Sequence, residues 1–254
     1  MHASWAARTD PGLRRSQNED FFCARPELGL YVVADGMGGH AGGEVASSIA
    51  VEAIVSVIET TASLGPQDTW PIPFDTSVGR NHNRLRAGFD LANRRIADRV
   101  SEVATLRGMA TTAVAVILTE NTTTLAHVGD SRAYLLRTDE LSRLTRDHSW
   151  VEEQVQAGML SESAAREHPW RNIVTRALSG GEAVDVEVVE LELHHGERLL
   201  LCSDGLSSVL TDPTIRDVVS GRDGQAACDE LVRLVNERGG PDNVTTLVLD
   251  IDAG

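Results

Sequence analysis

The chain has 254 residues, 41% apolar and 24% charged, a profile that suits one large globular domain or two small ones. Its 23 basic residues are all arginine, which excludes chemistries built on an ammonium group: a Walker phosphate loop, a kinase strand lysine, a Schiff base or a serine/lysine hydrolase. The 38 acidic side chains set the net charge at -15, which opposes binding to nucleic acid or to an anionic membrane surface.

Residues 28–36 (LGLYVVADG) are a short apolar run that ends in a turn pair and predict a strand. Helical periodicity runs over 44–59 and again over 83–103, and the segment 62–82, with its GPQ and WPIP, reads as an irregular loop between them. Three hairpin-spaced strands are predicted at 111–118, 123–130 and 133–137, followed by a helix over 149–166. Residues 184–193 alternate polar and apolar, the pattern of a strand with one wet face. Strands at 198–205 and 243–251 flank a last helix at 225–238. Strands in hairpin order, with helices before, between and after them, indicate an α+β fold with mainly antiparallel sheets. The cysteines (Cys23, Cys202, Cys228) are odd in number with no close pair, which argues against a disulfide framework and for a reducing cytoplasm. No signal-length apolar stretch opens the chain and no run of about 18 apolar residues occurs, so the expectation is a cytoplasmic protein without a membrane partner.

The chemistry lies in where the acids fall. Asp35 and Asp204 each close an apolar run and are followed by glycine, and Asp130 follows Gly129 after a third run. One Asp-Gly after a strand is ordinarily a turn, and Asp223-Gly224, with no strand before it, is read as one. The recurrence of strand-end acids, with Glu19, Asp20 and Asp242 placed beside strands as well, suggests convergence. Two carboxylates about 4 Å apart repel by roughly 4 kcal/mol at an effective dielectric of 20, so a cluster with no lysine nearby calls for divalent cations. Ligands that are all oxygen favour Mg²⁺ or Mn²⁺ over zinc.

The blocks RRSQNED (14–20), VADGMGGHAGGEVAS (33–47), HVGDSRAYLLR (127–137), LTRDHS, HPWRNIVTRAL, LLCSDGL and GGPDNVT resemble, in order, the bacterial branch of the metal-dependent protein phosphatase 2C family. The resemblance covers about residues 8 to 250. It implies one catalytic domain over 1–254, a four-layer αββα sandwich of two mainly antiparallel sheets between helices, with a flap at 145–181 beside the active site. It also implies two cations, with Asp35 shared, Asp204 and Asp242 completing the first, and Glu19 with the Gly36 carbonyl serving the second. Asp20 would hold a metal-bound water, and Asp130 with Asp204 would bind a third cation. Arg15, at the R-x-x-N-x-D spacing, would grip the substrate phosphate with its planar fork.

The implied reaction is attack of a metal-bridging hydroxide on phosphoserine or phosphothreonine, with His40 the candidate general acid. The implied partners are phosphorylated proteins and the bacterial serine/threonine kinases that make them; the expected state is a monomer. Arg171 and Arg176 either line the route to the site or sit on a solvated flap face. His127 and His148 are read as packing or loop-orienting groups, and Cys202 as core. Two other readings stay open: a catalytically silent binding scaffold, and a two-metal hydrolase of phosphodiesters or nucleotides.

Overall fold

A computed structural model describes residues 2–38, 42–65, 68–120 and 122–252. In chain order these form β1 (His2–Asp10), β2 (Asp20–Arg25), β3 (Leu30–Met37), α1 (Gly42–Thr60), α2 (Arg80–Glu102), β4 (Ala110–Leu118), β5 (Thr123–Val128), β6 (Arg132–Arg137) and β7 (Glu140–Arg143). After these come α3 (Trp150–Gln156), α4 (Glu162–Glu167), β8 (Glu187–Leu191), β9 (Arg198–Cys202), α5 (Asp204–Ser207), α6 (Asp212–Ser220), α7 (Gly224–Glu237) and β10 (Val244–Asp252). The strands make two five-stranded antiparallel sheets, ordered β1-β10-β9-β6-β7 and β2-β3-β4-β5-β8.

Side-chain alternation along the strands divides the interior into three cores. On β3, Leu30, Val32 and Ala34 face α1 and α2, whereas Tyr31 and Val33 face Leu201, Leu247 and Leu249 of the other sheet. The outer face of that second sheet is covered by Leu231 and Val235 of α7 and by Ile215 of α6. The result is the expected αββα sandwich. Strands buried on both faces read as continuous apolar runs, which is why β3 and β4 stand out in the sequence. Small residues bring α1 close to its sheet: Ala46, Ala50 and Ala53 are fully buried.

Three expectations need correction. The predicted helix over 149–166 is two short helices, because Gly158 turns the chain at φ +70 and ends α3. Ser161 then starts α4 by accepting a hydrogen bond from the Ala164 N–H. Asp223 does not mark a plain turn: its carboxylate caps α7 by accepting from the Ala226 N–H at 2.9 Å. β1, β2, β7, α5 and α6 are additional elements that the periodicity did not reveal, and the strand predicted over 198–205 ends at Cys202. Among the described residues, no helix is long and apolar enough to cross a membrane.

Strand register sets the functional end of the sandwich. Asp20 at the start of β2 pairs with Asp35 near the end of β3, and Asp35 pairs in turn with Thr112 at the start of β4. β5 then runs back to the same end and crosses through Gly129, Asp130 and Ser131 to β6 in the second sheet. In that sheet Arg132 of β6 and Thr246 of β10 both pair with Cys202, so Asp204 and Asp242 lie at this end too.

Candidate active site and metal centre

The strand ends surround a cleft of about 390 Å³ lined by Arg15, Glu19, Asp35, Gly36, Thr112, Asp130, Asn172, Asp204 and Asp242, among others. Glu19, Asp35, Asp204 and Asp242 open onto it in part, whereas Asp20 and Asp130 are buried. Two glycines make room for the acids. A Cβ at Gly36 would lie 2.1 Å from the Gly43 carbonyl oxygen, and one at Gly43 would lie 2.5 Å from Glu19 Oε1. The chain can therefore fold back on itself here only with glycine at both positions.

The loop before β2 is fixed by backbone bonds. The Glu19 N–H donates to Asn243 Oδ1 at 2.8 Å, and the Ser47 hydroxyl donates to the Glu19 carbonyl at 2.7 Å. The Gly43 N–H donates to Glu19 Oε1 at 3.2 Å, which aims the other carboxylate oxygen elsewhere. Asp20 is held by hydroxyls from the opposite sheet: Ser203 and Thr245 each donate to its Oδ2 at 2.7 Å. Its Oδ1 is buried without a hydrogen-bond partner among the described residues. A buried acceptor left unpaired is costly, and a cation or its water is the group that would satisfy it.

Burial, followed by mutual repulsion, raises the carboxyls of Asp20, Asp35, Asp130 and Asp204 above the ordinary range. Asp20 is pushed up to about 7 even though its two hydroxyl donors pull the other way. Directly opposed like charges such as Asp20 and Asp35 destabilise a strand pair unless something neutralises them. Two arginines act on these acids among the described residues: Arg15, half exposed, donates from Nη2 to Asp242 Oδ2 at 2.7 Å, and Arg132, which tempers Asp130 and Asp204, is itself bound to Asp147. The donor set is thus all oxygen, anionic and short of counter-charge, which fits a hard divalent cation.

The structure brings together Arg15, Glu19, Asp35, Gly36, Asp130, Asp204 and Asp242, with Asp20 immediately behind them. His40 lies outside the described residues. Arg171 lines a second groove of about 570 Å³ between α3 and α4 on one side and α5 and α6 on the other, which shares Asp130, Asn172 and Asp204 with the cleft. Arg176 is directed to Asp185 and Glu187 instead. Cys202 is core as expected, with burial pushing its thiol up to about 12. Sequence reading passed over Asn172, Thr112 and Asn243. Asn243 sits in the GGPDNVT block, where the Asp beside it drew the attention.

A family model described as Protein phosphatase 2C matches residues 14–247. The chain belongs to the protein phosphatase 2C family. Within this family, the serine/threonine protein phosphatase PstP of Mycobacterium tuberculosis is 38% identical over 97% of this chain, which spans 45% of that protein's length. The serine/threonine phosphatase stp of Listeria monocytogenes is 36% identical over 99% of this chain and 96% of its own. A crystal structure of Mycobacterium tuberculosis PstP matches with a TM-score of 0.88 at 37% identity over the whole of both chains. A structure of the PstP catalytic domain in complex with two manganese ions matches with a TM-score of 0.83 at 36% identity, covering 99% of each chain.

Proposed function

We propose that this protein 2C family chain is a phosphoprotein phosphatase that hydrolyses phosphoserine and phosphothreonine monoesters with Mn²⁺ or Mg²⁺. The observation that carries this reading is the convergence of five carboxylates on one cleft, with a sixth, Asp20, behind Asp35 and the half-exposed Arg15 beside Asp242. Asp35, Asp204 and Asp242 would hold one cation, and Glu19 with the Gly36 carbonyl a second, Asp35 serving both. Asp130 with Asp204 would hold a third. When bound, the cations supply Lewis acidity and bring the pKa of water from 15.7 to about 7, so that a nucleophile exists at neutral pH.

The chain's own groups do the rest. Arg15 exchanges its Asp242 partner for the substrate phosphate, where its planar fork offsets charge that spreads over the equatorial oxygens. Asp20, with Oδ2 locked by Ser203 and Thr245, presents Oδ1 to orient water in the cleft. His40 would protonate the leaving alkoxide. A single domain over 1–254, with 145–181 as its flap, would place the 570 Å³ groove along the path of the substrate polypeptide. Proteins phosphorylated by serine/threonine kinases are the substrates that this arrangement suits, and a cytoplasmic setting agrees with three free thiols.

The test is phosphate release from phosphoserine and phosphothreonine peptides, with a phosphodiester as comparison, in Mn²⁺. Monoester turnover that vanishes in Asp204→Asn supports the reading. Turnover of the diester alone contradicts it.

A further inference from the structure

Outside the acid cleft, His127, His148 and Glu187 gather together, each offering one nitrogen or oxygen within 4.8 Å of the others. Both rings are buried and stacked, centroids 4.8 Å apart and planes 19° apart. The spacing invites a metal, but the hydrogen bonds assign the ring protons elsewhere. The Gly129 N–H donates into His148 Nδ1 at 3.1 Å, so the neutral ring carries its proton on Nε2 and donates it to Glu187 Oε1, also at 3.1 Å. His148 therefore turns no lone pair towards the cluster. His127 donates its Nε2–H to the Arg146 carbonyl at 2.9 Å, while its buried Nδ1 has no hydrogen-bond partner among the described residues.

What the arrangement does hold is a glycine. Besides receiving the Gly129 N–H on its ring, His148 donates its own N–H to the Gly129 carbonyl at 3.0 Å. Gly129 sits at φ +101, and a Cβ there would lie 2.4 Å from Thr112 Cβ, so its conformation is tightly constrained. The next residue is Asp130. The His148 carbonyl also accepts from the Thr175 N–H at 2.8 Å, which ties the clasp to the segment that carries Val174 along the cleft.

We propose that His148, oriented by Glu187, is a positioning residue: it clasps Gly129 and so sets the direction in which Asp130 enters the cleft. This rests on the reading of Asp130 as a cation ligand. His148 does not touch the substrate; it acts through the Gly129-Asp130 peptide. Partners that orient a ligand from behind are worth about 10- to 100-fold in metal affinity.

The experiment is calorimetric titration of Mn²⁺ into chelator-stripped full-length wild type, Asp130→Asn, His148→Phe, His148→Asn and the Asp130→Asn/His148→Phe double variant. Circular dichroism would confirm folding. His148→Phe keeps the ring volume and is expected to weaken, by about 10- to 100-fold, the same Mn²⁺ event that Asp130→Asn removes, with no further loss in the double variant. His148→Asn can still accept from the Gly129 N–H through Oδ1 and is expected to recover part of that affinity. If His148→Phe fails to fold, the His148→Asn and Glu187→Ala titrations decide, and Glu187→Ala is expected to weaken the same event. Loss in Asp130→Asn with wild-type binding in the folded His148 and Glu187 variants overturns the clasp. Unchanged binding in Asp130→Asn overturns instead the ligand reading on which the clasp depends.

Discussion

Asp147 and Asp130 line the same groove, and both are largely shut off from water, yet their surroundings differ. Asp147 meets the fork of Arg132, with bonds of 2.9 Å from Nε to Oδ1 and 2.6 Å from Nη2 to Oδ2. Arg132 spends its remaining reach on the Tyr134 hydroxyl at 3.0 Å. Asp130 has burial, Asp204 and Asp147 all raising its carboxyl, with Arg132 too fully engaged to do more than temper them. The chain has 23 arginines and uses one wherever a buried acid serves the fold. At the cleft Arg15 meets Asp242 alone, no described arginine forms an ion pair with Asp20, Asp35, Asp130 or Asp204, and the remaining counter-charge must come from outside.

That contrast can be broken at either region. The largest effect is expected at the unpaired acids: Asp204→Asn should lower Mn²⁺-dependent phosphatase turnover about a thousandfold or more, measured by phosphate release, while leaving the fold intact. The paired acid should behave the opposite way. Asp147→Ala strands a buried guanidinium, and urea denaturation of the metal-free protein should record a loss of about 3 kcal/mol. An equal loss for Asp204→Ala would erase the distinction between the two regions.

External cations should act on one region only. At a hundred times its dissociation constant, Mn²⁺ should stabilise the wild type by about 2.7 kcal/mol and Asp35→Asn by much less, as read from thermal shifts. A smaller effect is expected from pH. A folded-state carboxyl raised above its unfolded value stabilises fully below the unfolded pKa and loses that contribution as pH rises through the folded value. With Asp20 at about 7, the metal-free protein should lose about 1–2 kcal/mol between pH 6 and pH 8, and saturating Mn²⁺ should remove the dependence. A metal-free protein as stable at pH 8 as at pH 6 would mean that the cleft acids are already neutralised.

Much of this was legible in the chain. β3 and β4 are buried on both faces, so LYVVA and AVAVIL announce themselves, and Asp35 at the end of β3 follows. β1 was not legible because it pairs only with β10 at a sheet edge and mixes exposed Trp5 with small residues. α6 carries just three buried side chains behind Pro213, too short a stripe to count as a period. The site shows the same limit. Individual acids are visible by their glycines, but the hydroxyls that lock Asp20 lie at Ser203 and Thr245, and the fork that neutralises Asp147 comes from another strand. Which acids are paired is a property of tertiary contact, and no spacing encodes it.

The most direct test of the central claim is hydrolysis of para-nitrophenyl phosphate by chelator-stripped protein as Mn²⁺ is restored stepwise, with bound metal counted at each step. The account predicts no turnover at the start and an onset that tracks filling of the cleft, absent in Asp204→Asn. Turnover by the stripped protein, or silence with the cleft filled, would contradict it.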